Sequence, residues 1–275
     1  MPIVLLTDFG MQDIYVGVMK GVISRIAPDV PVIDLTNAIS PQNIRQAAFN
    51  LYSAVSYFPE GSVFVVVIDP GVGSRRRPIA VRAGGYVFVA PDNGVLSYAL
   101  DRLGGFSEAV EILTDDALIS RTFHGRDVFA PMAARLALGQ PLADLGSPIE
   151  TLVTLWTPPL HISETRIQGE VIHIDHFGNL ITSIGECHWQ AHGLTLRPVW
   201  GANLDTLQFD AVAASVKVRG QCIEGIQHTY ADVAVGSMLA LIGSSQFLEI
   251  SVNQGSAAAS MQAVIGDSVE INLGE

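Results

Sequence analysis

Two cysteines in 275 residues, Cys187 and Cys222, are too few for a disulfide framework, and their separation fits no zinc motif. A reducing compartment is the expectation. Charge is scarce too: 15% of residues are Asp, Glu, Lys or Arg, and the 15 basic residues are outnumbered by 27 acidic ones, a formal balance of −12. That balance argues against nucleic acid as a partner, because phosphate contacts need clustered Lys and Arg. No run approaches the roughly 20 apolar residues that span a bilayer. The opening MPIVLLTDFG has no basic segment before its short apolar run and no small-residue cleavage pattern after it. A cytoplasmic protein with no membrane partner is expected.

Apolar residues, by contrast, make up 49% of the chain, enough for a sizeable core and, at this length, for two domains. Acidity is uneven: 11 basic residues face 15 acidic ones up to residue 158, and four face 12 beyond it, so the second part should favour a cationic or neutral ligand. The first part alternates apolar runs with helical spacing. Residues 3–6 read as a strand, and Tyr15, Val18, Met19, Val22, Ile23 and Ile26 read as one face of a helix that Pro28 ends. VPVIDL is a second strand. Ser40 and Pro41 suggest an N-cap and first turn for a helix through Phe58, and VFVVVI reads as a strand buried on both faces. IAVRAGGYVFVAPDNG reads as a hairpin delivering Asp92 and Asn93 to a turn, and a helix is expected from about Arg126 to Leu138. After Pro158-Pro159 come short β-branched runs without helical spacing. The expected fold class is therefore α/β over residues 1–158, a mainly parallel sheet flanked by helices, followed by a smaller antiparallel barrel or sandwich over 159–275.

Ligands of open α/β sheets gather beyond the carboxyl ends of strands, where Asp8 and Asp69 fall. In DPGVGSRRRP the glycines lack phosphate-loop spacing. Asp69 could act as a carboxylate stabilised by an arginine of its own loop, although spacing alone favours a structural salt bridge at a strand end. His124 in RTFHGRDVFAP precedes a helix and could hold a water, accept a proton or merely cap. His173, Asp175 and His176 do not converge on a strand, so no metal site is expected. Phe177 and Asn179 suit an aromatic platform and an amide that read a flat base, or a plain turn.

LTDFG, DPGVGSRRRPIAV, APDNG, FHGRDVFAP, DHFGN and GSSQFLEISVNQG, in that order from residue 6 to about 256, resemble the S-adenosyl-L-methionine hydrolases that form adenosine, also called SAM hydroxide adenosyltransferases, which are related to SAM-dependent fluorinases and chlorinases. The resemblance implies an α/β domain, a C-terminal β-barrel, and a homotrimer with the small-molecule substrate between neighbouring subunits. It implies hydrolysis of SAM to adenosine and methionine without a cofactor. Matching the motifs puts the water-handling residues at Asp69, Arg76 and His124. Asp8 would hold the ribose, Phe177 and Tyr230 would sandwich adenine, and Asn179 with the backbone near Val252 and Gln254 would read its edge. Asp175 and Ser244 would hold the methionine end, with Phe123, Gly125 and Glu249 completing the substrate-binding set. The halogenases carry Tyr, Tyr and Ser at the positions of Asp69, His124 and Gly125, and an arginine at that of Ser245. Arg75 and Arg77 are expected in salt bridges rather than in catalysis. A SAM-dependent halogenase and a non-catalytic SAM or adenosine sensor are the alternatives.

Overall fold

The computed structural model describes residues 1–114, 119–191, 193–200 and 204–274, and the chain divides into two compact units, Met1–Leu155 and Trp156–Glu275. In the first unit, strands β1 (Ile3–Thr7), β2 (Val32–Thr36), β3 (Val63–Val67), β4 (Pro78–Ala83), β5 (Tyr86–Pro91), β6 (Glu108–Ile112) and β7 (Gly146–Pro148) form one sheet of order β2-β1-β3-β5-β4-β6-β7. Helices α1 (Tyr15–Ile26), α2 (Ile44–Ala54), α3 (Ser97–Arg102) and α4 (Ala130–Ala137) cover it.

Every residue of β1 and β3 is buried because both faces are covered. Side chains alternate across a strand, so Ile3, Leu5, Val63, Val65 and Val67 pack with Met19 and Ile23 of α1 and Ala130 and Ala133 of α4. Val4, Leu6, Phe64 and Val66 face the other way, onto Ala47 and Leu51 of α2 and Ala99 of α3. Each such aliphatic side chain contributes about 1.5–3 kcal/mol on burial, which makes these two strands a rigid base for whatever follows their ends.

The sheet is parallel on one side only. β1 pairs in parallel with β2 and β3, and β3 with β5. β4, β6 and β7 pair antiparallel, because the β4–β5 hairpin turns on Gly84 and Gly85, both with positive φ, and reverses the chain next to the parallel strands. The mainly parallel sheet expected from sequence is thus half antiparallel. Two helix starts also differ from expectation. Asn43, not Ser40, caps α2, its Oδ1 accepting from the Gln46 amide at 3.0 Å. Residues 125–129 form a π-helical turn (Gly125–Phe129) that leads into α4.

In the second unit, β8 (His161–Ile162), β9 (Arg166–Ile174), β10 (Leu180–Gly185), β14 (Ser215–Val218), β15 (Gln221–Glu224), β16 (Ile226–Gln227), β17 (Met238–Ile242), β18 (Phe247–Val252) and β19 (Ser268–Asn272) make a nine-stranded sheet. Its order is β15-β14-β19-β9-β10-β18-β17-β16, with β8 beside β9, and all neighbours run antiparallel except β16 and β17. A small sheet joins β11 (Cys187–Gln190), β12 (Gly193–Leu196) and β13 (Leu207–Phe209), and a short helix α5 (Ala257–Met261) follows β18. No described helix is long and apolar enough to cross a membrane.

Candidate active site

β3 runs out through Ile68 into Asp69, and the Asn93 amide fixes that end by donating to the Ile68 carbonyl at 2.8 Å. The loop then doubles back. Val72 N–H donates to Asp69 O at 3.2 Å and Ser74 N–H to Gly71 O at 3.0 Å. Gly73 has φ +74°, and a side chain there would collide with the Arg121 carbonyl, so only glycine fits the reversal. The reversal returns Arg76 over Asp69. Arg76 Nε donates to Asp69 Oδ1 at 2.9 Å and Oδ2 at 3.1 Å, Nη2 donates to Oδ2 as well, and the two side chains are only 9% and 5% exposed. The guanidinium also lies 5.4 Å from the centroid of the Phe129 ring. A buried, multiply bonded pair of this kind holds both side chains in one orientation.

Arg76 Nη2 has a second partner, His124 Nδ1, at 2.7 Å. A guanidinium has donors and no acceptor, so Nδ1 must accept. The neutral imidazole then carries its proton on Nε2, which is a donor rather than a base. The sequence left three roles open for His124: its side chain makes no capping bond to the helix that follows, and between holding a water and accepting a proton this geometry favours the first.

Asp69 and His124 line a cavity of about 360 Å³ with Asp8, Phe9, Tyr15, Gln42, Val67, Val72, Thr122, Phe123 and Gly125. Asp8 follows β1, and its Oδ2 accepts from the Gln42 backbone N–H at 2.7 Å, where Gln42 sits at φ +65° just outside α2. Phe9, Tyr15 and Phe123 pack edge-on or tilted with centroids 5.2–5.9 Å apart and wall one side. Beside this wall, Arg126 pairs with Asp127, holding that carboxyl below its ordinary pKa. A Cβ at Gly125 would stand 3.1 Å from Met19 Sδ and 3.2–3.3 Å from the Phe123 and Phe9 rings, so a side chain here requires these neighbours to shift by a few tenths of an ångström.

The second unit holds another cavity of about 470 Å³, lined by Phe177, Asn179, Tyr230, Val252, Gln254 and Gly255. The turn between β9 and β10 presents the first two. Asp175 Oδ1 accepts from the backbone N–H groups of Phe177 at 2.9 Å and Asn179 at 2.8 Å, and its Oδ2 accepts from Asn179 Nδ2 at 2.9 Å. Gly178 completes the turn at φ +84°, where a side chain would strike Ser256. With one Nδ2 hydrogen on Asp175, Asn179 still offers its second N–H as a donor and Oδ1 as an acceptor. Ser244 and Glu249 do not line this cavity, and Asp175 serves the turn behind it.

Other sequence candidates separate from the site. Arg77 bonds to the Asp92 carboxylate and to Thr151 O at 2.8 Å, tying the hairpin to the segment beyond β7. Among the described residues no three His, Cys, Asp or Glu side chains converge as a metal site would require. Tyr15 and Gln42 were not anticipated on the cavity wall. Tyr15 reads as part of an apolar helical face, and Gln42 acts through its main chain.

Fold and site together define a two-unit protein, α/β then β, that keeps a buried carboxylate–guanidinium–imidazole cluster at the strand ends of its first unit and an aromatic and amide cavity in its second. The model for the SAM hydroxide adenosyltransferase N-terminal domain matches residues 3–146, and that for the C-terminal domain matches residues 169–270. The chain belongs to this family. A protein of Salinispora tropica named (R)-S-adenosyl-L-methionine hydrolase is 39% identical over 273 residues, covering 98% of this chain and 96% of that protein. A Thermus thermophilus protein of the same name is 40% identical over 267 residues, 93% of each chain. The crystal structure of an uncharacterized conserved protein from Thermotoga maritima superposes with a TM-score of 0.84 at 35% identity, covering 98% of this chain and 99% of that one.

Proposed function

We propose that this protein hydrolyses S-adenosyl-L-methionine to adenosine and L-methionine, with water or hydroxide attacking ribose C5′ in line with the leaving sulfur. An O–C5′ bond forms as the C5′–S electron pair withdraws to sulfur, and the water proton passes to Asp69 and on to solvent. The departing thioether is neutral, so the reaction calls for no acid at the leaving group and no cofactor. The observation that carries the reading is the Asp69, Arg76 and His124 cluster opening on the first unit's cavity, in a chain of this family. Orienting the reactants can remove about 7–11 kcal/mol of barrier, more than the 10²–10⁴-fold one general base usually adds. Positioning therefore dominates: Asp69 accepts from the nucleophile and His124 donates to it.

Asp8 holds the ribose hydroxyls through the oxygen that Gln42 leaves free. Phe177 and Tyr230 enclose adenine, Asn179 Oδ1 accepts from its exocyclic amine, and the backbone near Val252 and Gln254 reads the same edge. Asp175 and Ser244 serve the methionine end. Phe177 is 72% and Tyr230 42% exposed, a large aromatic surface to leave in water, which supports a homotrimer with substrate held between neighbouring copies. The same reading takes the second unit's sheet as a closed barrel and the protein as cytoplasmic. A carboxylate in the cavity repels halide, which counts against halogenation.

The test is incubation with SAM in ¹⁸O-labelled water, with and without chloride or fluoride, for wild type and Asp69→Asn, followed by mass spectrometry. Labelled adenosine and methionine, lost in the variant, are expected. A halogenated nucleoside, or intact SAM that stays bound, would overturn the proposal. Light scattering in solution checks the trimer.

A further inference from the structure

Glu249 stands in β18, whose six residues are all buried, opposite Ile181 on β10 and Leu241 on β17. A carboxylate in such a strand is costly unless its oxygens are hydrogen-bonded. Here Oε1 accepts from the Tyr230 hydroxyl at 2.6 Å and from Ser251 Oγ at 2.7 Å. Gly243 leaves the carboxylate its room, since a Cβ there would lie 2.5 Å from Oε2.

Tyr230 connects this carboxylate to the cavity. Its backbone is set in a short turn, Tyr230–Asp232, closed by reciprocal bonds between Thr229 and Asp232. Its ring walls the cavity while its hydroxyl points back at Glu249, which does not line the cavity. Burial and the bond to Glu249 raise the phenol pKa, keeping it a donor. The turn fixes the main chain and the carboxylate fixes the ring.

We propose that Glu249 is a positioning residue for substrate recognition: it tethers the Tyr230 phenol so that the ring face is already set when the nucleobase arrives. The inference rests on the reading of Tyr230 as an adenine wall. An untethered ring must be ordered by the ligand itself, and that cost appears in affinity rather than in the chemical step.

The experiment is a double-mutant cycle on the full chain, with kcat and KM measured for SAM and the Kd of adenosine by calorimetry. Glu249→Ala and Tyr230→Phe should each raise KM about three- to tenfold, the cost of ordering one side chain, with kcat within about twofold. The double variant should be no worse than either single one. Glu249→Gln, whose amide oxygen can still accept from the phenol, should keep the wild-type KM, and Gly243→Ala, which displaces the carboxylate from behind, should raise it. A merely structural Glu249 would lower Tm and leave KM alone. Unchanged KM in Glu249→Ala and Tyr230→Phe, or effects that multiply in the double variant, would overturn the tether. Adenosine affinity in Tyr230→Ala separates the two levels. If it is unchanged, the adenine wall itself is misplaced and the tether falls with it. If it weakens while Glu249→Ala binds normally, only the tether is wrong.

Discussion

Replacing His124 distinguishes a donor from a base. The 2.7 Å contact from Arg76 Nη2 requires His124 Nδ1 to accept, so Nε2 carries the proton and donates. His124→Ala removes that donor but leaves Arg76 on Asp69 through the Nε and Nη2 bonds, so the carboxylate keeps its orientation. The loss is then that of one hydrogen bond to an oxygen that carries charge, about 1.5–3 kcal/mol, or roughly 10- to 150-fold in kcat with KM little changed. His124→Gln sets an amide N–H near the position of Nε2 and should recover activity to within about tenfold of wild type. His124→Asn keeps only an acceptor for Arg76 and should resemble His124→Ala. Adenosine release from SAM, followed by chromatography under single-turnover and steady-state conditions, reads all three. A general base could not be replaced by an amide, and its loss would cost about 10²–10⁴-fold. Equal inactivity of His124→Gln and His124→Ala, at the upper end of that range, would refute the donor assignment.

Asp69→Asn leaves the 9%-exposed Arg76 side chain without its counter-ion and should destabilise the fold by about 3–5 kcal/mol in urea unfolding; a stability equal to wild type would show that the pair is not held as described. Gly125→Ser must displace Met19 Sδ and two aromatic rings at 3.1–3.3 Å, an overpacking cost of about 1–3 kcal/mol, and should lower kcat/KM by narrowing the cavity. Burial pushes the Cys187 thiol pKa up to about 12 while Cys222 is exposed, so thiol labelling of the native protein at about pH 8 should modify Cys222 alone and reach Cys187 only in denaturant. The bond from Arg126 holds the Asp127 carboxyl below 3.8. The stability it adds is therefore complete above that value and is lost as the pH falls through the folded pKa, so Tm should drop less between about pH 5 and pH 2.5 in Asp127→Asn than in wild type.

What could be read in the sequence follows from which groups do the work. β1 and β3 were legible because strands covered on both faces must be apolar throughout, and the carboxylates Asp8 and Asp69 stand out where those runs end. The half of the sheet that runs antiparallel was partly legible, since the Gly84-Gly85 turn announces a hairpin but not the strand beside which it inserts. Tyr15 was hidden because helical spacing marks an apolar face without saying whether that face meets a core or a cavity. Gln42 was hidden more deeply, as its bond to Asp8 comes from a main-chain N–H that every residue but proline possesses. Three adjacent arginines pose the sharpest case. Spacing along an extended segment separates Arg76 from its neighbours by face, yet nothing in that pattern says which face meets Asp69, and resemblance alone singled out the middle one. The structure supplies the physical selection: Gly73 at φ +74° reverses the loop, the Arg76 amide bonds to Ser74 Oγ at 3.2 Å, and the reversed chain brings Arg76 onto Asp69 while Arg77 reaches Asp92. The choice of the arginine that meets Asp69 is thus made by a glycine three residues earlier, and a Gly73→Ala variant should lose activity with all three arginines intact.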